Sequence, residues 1–185
     1  MSPADGVGTG ATGLTRPDPS EHADYYARYV AEVPDGDILV TLRDQLEDTL
    51  DLLTGLSEEQ ETWRYAEGKW SLREVVGHMI DTERVFSFRA LSMARSDDVD
   101  LPGMDQDEWA ANSNAGERSL AELVKEWAAV RRSTVHLFAS LDPAAADRSG
   151  RASGYTFTVR SFPWIIAGHE LWHRALIEER YLAGP

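Results

Sequence analysis

The sequence predicts an all-α protein, a four-helix bundle with one long crossover between its second and third long helices. Two observations support this prediction. Four long segments repeat apolar residues at spacings of three and four, the period of one buried helical face. Ser57, Ser71 and Ser119 are each followed three residues later by Glu or Gln, which is the pattern of a capping box at a helix start.

The predicted helices are four long ones and two short ones, and one of the connections between them is long. The four long helices span about residues 37–56, 71–95, 119–141 and 161–182. A shorter helix is expected within residues 19–33, and another near residues 105–111. The connection of residues 96–118 is long enough to cross from one end of a bundle to the other. Residues 155–159 alternate apolar and polar side chains, so we expect a short extended segment there but not a sheet.

The first seventeen residues differ in composition from the rest of the chain. Residues 1–17 are rich in Gly, Thr, Ala and Pro and offer almost nothing to bury. We therefore expect a disordered N-terminal tail before a single bundle domain of residues 18–185. The full length of 185 residues is sufficient for one domain with a substantial core.

Composition also narrows the expected partners and location. The net charge is -14, and such a surface repels phosphate backbones and acidic membranes, so neither nucleic acid nor a membrane is expected as a partner. The chain has no cysteine, which excludes disulfides and thiolate ligands. No signal-peptide pattern begins the chain, and no apolar run approaches the roughly 20 residues of a membrane span. We therefore expect a cytoplasmic location.

The last predicted helix contains the H-E-x-x-H signature of zinc proteases at residues 169–173. Its two imidazoles are one helical turn apart, so both can reach one metal ion. The proteases add a ligand from downstream, either a histidine after a glycine or a glutamate of a following helix. Leu176 and Glu179 occupy the positions of the first form, and only twelve residues follow His173. A third ligand must therefore come from upstream, and a peptidase is the weakest alternative.

In a bundle, a ligand from a different helix can complete such a site. His78 lies in the middle of the second long helix, where a buried histidine with no ligand role would be the more common explanation if it stood alone. Together with His169 and His173 it would form a three-imidazole site. Three neutral nitrogens without a carboxylate leave positions open for water or substrate. His136 falls off the apolar stripe of its helix and is expected to face solvent.

Three segments of the chain resemble the DinB-like (YfiT-like) metalloprotein superfamily, and the similarity extends over about residues 18–182. They are WSLREVVGHMIDTER at residues 70–84, LPGMDQDE at residues 101–108 and IIAGHELWH at residues 165–173. The resemblance implies an up-down-down-up four-helix bundle that is often a homodimer. It also implies zinc or nickel as the bound metal, with His78, His169 and His173 as the ligands.

The same resemblance implies a metal-dependent enzyme with a small-molecule substrate, in which a water or a thiol is activated on the metal. We expect transfer of a low-molecular-weight thiol cosubstrate slightly ahead of hydrolysis. The alternative from another class is a non-catalytic, metal-binding stress-response dimer. No further residue is marked as catalytic. Asp81 and Glu170 are candidates for a supporting contact to an imidazole, although a solvated helix-face carboxylate is the more common explanation of Asp81.

Overall fold

Long helices dominate the structure, as the sequence predicts. The computed structural model describes residues 13–183. Its α-helices are α1 (Ala27–Glu32), α2 (Ile38–Leu52), α3 (Glu58–Thr62), α4 (Leu72–Arg95), α5 (Gln106–Asn112), α6 (Leu120–Ala139) and α7 (Ser161–Leu176). Its strands are β1 (Asp100–Leu101), β2 (Ser149–Ala152) and β3 (Tyr155–Thr158), and a π-helical turn, Ile177–Tyr181, extends α7. Among these described helices, none is long and apolar enough to cross a membrane.

The predicted helix starts are formed by capping boxes. At the start of α4, Ser71 Oγ accepts a hydrogen bond from the amide of Glu74, and Glu74 Oε2 accepts one from the amide of Ser71 at 2.6 Å. The same reciprocal pair begins α3 and α6. Each box satisfies two amide groups that no helical carbonyl can reach. Asp37 caps α2 in a simpler way, because its carboxylate accepts from the amide of Leu39 at 2.8 Å.

The four long helices run up-down-down-up. The residues of α4 and α6 that contact each other follow the same order in both helices. Glu83 pairs with Arg131, and Ser87 contacts Thr134 one turn later. These two helices are therefore parallel. Contacts between α4 and α7 occur in the reverse order, so α7 is antiparallel to both. Helix α2 packs against α6 and α7 and runs in the same direction as α7. The predicted bundle is confirmed.

A polar layer divides the apolar core into two clusters. The first cluster, at the end that carries the strands, includes Phe86, Phe138 and Phe162. The second includes Leu72 and Trp127 at the opposite end. Each fully buried large apolar side chain contributes on the order of 1.5–3 kcal/mol relative to exposure. Between the clusters, all four long helices carry buried polar side chains, and the candidate site lies in this layer.

The prediction of an extended segment without a sheet is wrong. β3 pairs antiparallel with β2, and β2 pairs parallel with β1, giving a three-stranded sheet in the order β1-β2-β3. Ser153 and Gly154 turn the chain between β2 and β3 with φ angles of 55° and 82°. The alternation at residues 155–159 indicated β3, but β1 and β2, with two and four residues, are too short to show such a pattern. The parallel pair joins the segments that follow α4 and α6.

The predicted tail lies partly outside the described residues, which begin at residue 13. Within the described part, Leu14 is buried, and its carbonyl accepts a hydrogen bond from Trp164 Nε1 at 3.0 Å. Arg16 donates to two carbonyls at the end of α1, both at 2.6 Å. The described part of the predicted tail therefore packs against the bundle from residue 14 onwards. Composition could not indicate this, because one leucine and one arginine supply the anchors.

Candidate metal centre

Three buried histidines meet in the polar layer. His78 projects from α4, and His169 and His173 lie one turn apart on α7, so the latter two share a helical face. The Nε2 atom of His169 is 3.2 Å from Nε2 of His78 and 3.1 Å from Nε2 of His173. The structure therefore brings together, from two helices, the three residues that the sequence singled out.

The protein environment keeps these imidazoles neutral. Burial lowers the pKa of His78 to about 4 and the pKa of His173 to about 3. Burial also lowers the pKa of His169 well below its ordinary value, and positive charge on His173 or His78 would lower it further. A neutral imidazole keeps one nitrogen lone pair free. All three residues are therefore in the form that binds metal near neutral pH.

The spacing of the nitrogens fits one divalent transition-metal ion. Metal–nitrogen bonds of about 2.0–2.1 Å hold neighbouring ligand atoms about 3 Å apart, and His169 Nε2 has this separation from both of the other Nε2 atoms. Lone pairs directed at one another repel unless a proton or a cation lies between them. Imidazole nitrogens suit zinc, nickel or copper better than magnesium or calcium. The donor set consists of three nitrogens and no carboxylate.

An aromatic ring packs against each imidazole. These rings restrict the rotation of the imidazoles. The aromatic–imidazole pairs, with distances between ring centroids, are Trp70–His78 at 4.9 Å, Tyr29–His169 at 5.5 Å and Trp172–His173 at 4.9 Å. Gly168 allows α1, which carries Tyr29, to approach α7 closely, because a Cβ at this position would overlap the backbone carbonyl of Tyr29.

The polar neighbour of His78 is Thr82 and not Asp81. Thr82 Oγ1 lies 3.4 Å from His78 Nδ1, one turn further along the same buried face of α4. Asp81, predicted as a supporting residue, instead accepts a hydrogen bond from Arg84 near the surface. The structure gives no support to that prediction, because the Asp81 carboxylate is turned towards Arg84 at the partly exposed edge of α4. His136 is exposed, as predicted.

Glu170 is directed away from the imidazoles, although it lies between two of them in sequence. Its carboxylate accepts hydrogen bonds from Thr49 Oγ1 of α2 at 2.7 Å and from Arg131 Nη1 of α6 at 2.6 Å. Both carboxylate oxygens are therefore occupied, and no hydrogen bond joins Glu170 to a histidine of the site. An H-E-x-x-H peptidase needs this glutamate as its general base. The geometry therefore does not support the peptidase alternative or the supporting contact expected of Glu170.

Arg131 joins two carboxylates in a buried cluster of Glu83, Arg131 and Glu170, here called the arginine cluster. Its Nε and Nη2 atoms each donate to Glu83 at 2.8 Å. Burial lowers the pKa of Arg131, but the charges of Glu170 and Glu83 outweigh burial and raise it. With both carboxylates ionised the cluster carries one net negative charge, which favours a cation in the same layer. The sequence signal for it was an arginine four residues after Trp127, on the apolar stripe of α6.

Two cavities open beside the histidines. The larger has a volume of about 490 Å³ and is bounded by His78 and His173 together with Trp70. The smaller has a volume of about 210 Å³ and is bounded by His78 and His169. The histidine site therefore has open space on two sides. The residues that line both cavities are Tyr25, Tyr29, His78 and Gln106.

Comparison with known proteins places the chain in a family. Among solved structures it resembles YfiT from Bacillus subtilis, described as a probable metal-dependent hydrolase with an unusual four-helix bundle topology. The TM-score is 0.65 at 15% sequence identity, over 88% of this chain and 89% of that chain, so the likeness concerns the fold. No curated protein matches the sequence. The sequence profile of the DinB superfamily matches residues 41–177, and the chain therefore belongs to the DinB superfamily.

Proposed function

We propose that this protein is a metal-dependent enzyme acting on a small molecule, with His78, His169 and His173 as its ligands to one divalent transition-metal ion, zinc or nickel. The observation that carries the proposal is the meeting of three neutral Nε2 atoms beside two open cavities. Buried polar atoms cost folding free energy unless they have a partner. Ligands that border a cavity also suit a reactive site better than a closed structural one.

The metal would supply a Lewis acid that lowers the pKa of a bound water or thiol towards neutrality. The side chains around it hold the ligands in place. With its proton on Nδ1, His78 can donate to Thr82 Oγ1, which leaves the Nε2 lone pair free. The arginine cluster connects α7 to α4 and α6, and Thr49 connects it to α2. These contacts fix the relative positions of the helices that carry the three imidazoles.

Two cavities that share His78 favour a reaction with two small-molecule partners. A low-molecular-weight thiol could occupy one cavity and an electrophilic substrate the other. In such a transfer the thiol gives up its proton, its sulfur bonds to an electrophilic carbon, and a leaving group departs with the bonding electron pair. The larger cavity is also lined by Arg28 and Lys69, two cations against the one carboxylate of Asp107, which suits an anionic cosubstrate. We therefore propose thiol transfer as the first candidate reaction.

Hydrolysis is the second candidate. YfiT, which has a similar fold, is described as a probable metal-dependent hydrolase. Water as the nucleophile would need the same three ligands and only one organic substrate. A non-catalytic metal-binding dimer remains as the alternative from another class. The volumes of about 490 Å³ and 210 Å³ beside the ligands favour an enzyme, because a storage or structural site has no need of substrate space.

Metal content tests the ligand set. Protein purified without a histidine tag should contain one equivalent of a divalent transition metal by plasma mass spectrometry. His78→Ala should reduce that content at least about tenfold after dialysis, because two imidazoles on one helix bind far more weakly than three. His136→Ala is the matched control, since His136 is an exposed histidine on another helix. Full metal content in His78→Ala would overturn the proposed site.

Turnover assays then separate the candidate reactions. The metal-loaded protein should be incubated with electrophilic substrates, esters and amides, each with and without a low-molecular-weight thiol. Product that requires the thiol supports transfer, and product formed equally without it supports hydrolysis. A protein that binds metal stoichiometrically but turns over none of these compounds would favour the non-catalytic alternative.

A further inference from the structure

Arg89 on α4 is a buried cation without a carboxylate partner. It is 3% exposed, and no Asp or Glu in residues 13–183 forms an ion pair with it. Its hydrogen bonds in the structure both come from Nη2, to the carbonyl of Pro102 and to Ser153 Oγ, each at 3.0 Å. Burial lowers the pKa of Arg89, and the neighbouring phenol of Tyr26 opposes this shift. None of these neighbours carries a charge that would neutralise the guanidinium.

Such a residue is unexpected in this chain. Arginine is seldom buried without an opposite charge, because removing the guanidinium from water is costly. The chain has 32 acidic residues against 18 basic ones, so an acidic partner would have been easy to provide. The other buried arginine, Arg131, has two such partners. The missing charge at Arg89 therefore points to a partner from outside the chain.

The position of Arg89 suggests what that partner is. Arg89 lines the smaller cavity, which also reaches His78 and His169. Arg89 follows His78 by eleven positions, just over three full turns, so both lie on one face of α4. Their Cα atoms are about 16 Å apart along the helix, and a long side chain leans back towards the helix N-terminus. The remaining gap is on the order of 10 Å, the length of a small organic molecule.

The guanidinium is held in place by the two segments that the sheet brings together. Pro102 follows β1 in the crossover, and Ser153 is in the turn between β2 and β3. Ser153 has a φ of 55°, a left-handed conformation that few residues other than glycine adopt. Both of these hydrogen bonds use Nη2, and Tyr26 is the remaining polar neighbour of the guanidinium in the described chain. A guanidinium whose Nε and Nη1 meet no acidic group of residues 13–183 can present those donors to a planar carboxylate or a phosphate.

We propose that Arg89 binds an oxyanion group of the substrate, a carboxylate or a phosphate, and so orients the substrate with its other end towards His78 and His169. The identity of the reacting end rests on the proposed function, whereas the anion site does not. Gln106, which lines both cavities, can add an amide donor to the bound group.

Calorimetric titration with benzoate tests the proposal, with benzamide as the neutral compound of the same shape. Benzoate should bind the wild-type protein at least about tenfold more tightly than benzamide, since only benzoate carries the charge that a buried guanidinium lacks. Arg89→Met should remove this preference, and Arg89→Lys should retain part of it. Arg132→Met, at an exposed arginine of α6, is the control and should bind benzoate as the wild type does. Inorganic phosphate that displaces benzoate would indicate an oxyanion site in general, and phosphate that does not would restrict the site to carboxylates.

Two further measurements keep the result interpretable. If Arg89→Met fails to fold, the NMR signal of the Arg89 Nε–H group in the wild type should shift on adding benzoate and not on adding benzamide. Equal binding of the two compounds, or an unmoved Arg89 signal, would overturn the proposal. His78→Ala separates it from the metal hypothesis, because that variant should lose metal and still bind benzoate. Loss of benzoate preference in Arg89→Met with full metal content would show that the anion site and the metal site are distinct.

Discussion

The two buried arginines of this bundle differ in the charges that surround them. Arg131, 1% exposed, lies between Glu83 and Glu170, so the chain itself neutralises it. Arg89, 3% exposed, donates to a carbonyl and a hydroxyl oxygen, lies near the Tyr26 phenol and the Phe86 ring, and meets no carboxylate among the described residues. Both lie within a few turns of the histidines. Both side chains are almost fully covered, but Arg89 borders a cavity and has different partners.

This difference separates two roles that burial alone would not distinguish. The arginine cluster is closed, because the guanidinium donors meet carboxylates from two other helices. It fixes the relative positions of α4, α6 and α7 and offers no donor to a ligand. Arg89 is open towards a cavity that also reaches two of the histidines. A region of this kind contributes less to stability and more to recognition of an anionic ligand.

The largest effect is expected at Arg131. Arg131→Met should reduce the free energy of unfolding by about 3–5 kcal/mol, because it leaves Glu83 and Glu170 buried without a cation. Urea denaturation monitored by circular dichroism would measure this. Arg132→Met, at the exposed neighbouring position, should change stability by less than about 0.5 kcal/mol. Replacing both carboxylates as well, with Glu83→Gln and Glu170→Gln, should recover part of the loss. A loss below about 1 kcal/mol in Arg131→Met would show that the cluster does not hold the helices together.

Much of this arrangement could be predicted from the sequence. The spacing of leucines along α2 and the capping box at Ser71 follow from local rules, so the helices and their starts could be expected. The convergence of His78 with His169 and His173 could be expected because two histidines on α7 needed a ligand from another helix. The resemblance to a metalloprotein family pointed to the same three residues.

The sequence did not indicate the contacts that depend on several distant segments at once. Arg89 gains its role from Pro102 and Ser153, which a sheet of very short strands brings to it. Glu170 has the position of a protease base in sequence, yet Arg131, 39 residues away, and Thr49, 121 residues away, draw its carboxylate to the other side. These contacts depend on tertiary packing. In the sequence, their only indication is a polar residue that interrupts the apolar stripe of a helix.

A partly buried ion pair near the surface is expected to contribute to stability by an amount between those of Arg131 and Arg89. Glu21 accepts hydrogen bonds from Arg160 Nε at 2.6 Å and from Thr158 Oγ1 at 2.7 Å, and Asp147 also faces Arg160. The hydrogen bond from Arg160 lowers the pKa of Glu21 to about 2, with burial opposing it. This pair stands near water, so its contribution should be smaller than that of the arginine cluster.

Acid titration of stability measures that contribution. The folded pKa of Glu21 lies below its ordinary value of 4.5, so the stabilisation is fully present above about pH 4.5 and is lost as the pH falls towards 2. Glu21→Gln should be about 1–2 kcal/mol less stable than the wild type at pH 6, and the difference should disappear near pH 2. The matched control is Glu58→Gln, at an exposed position at the start of α3. A difference that stays constant with pH would mean that the Glu21 carboxylate charge is not what stabilises the fold.

The smallest effect on stability is expected for substitution of Arg89. The size of this effect distinguishes a structural role of Arg89 from a role in binding an anion. Arg89→Met removes two hydrogen bonds but also removes a buried charge that no carboxylate balances. The two contributions oppose each other, so the free energy of unfolding should change by no more than about 1 kcal/mol, well below the loss in Arg131→Met. Urea denaturation of both variants under the same conditions makes the comparison, and metal content should be unchanged in Arg89→Met. If Arg89→Met instead costs as much as Arg131→Met, then Arg89 is a structural residue like Arg131. Its lack of a carboxylate partner would then carry no information about a ligand.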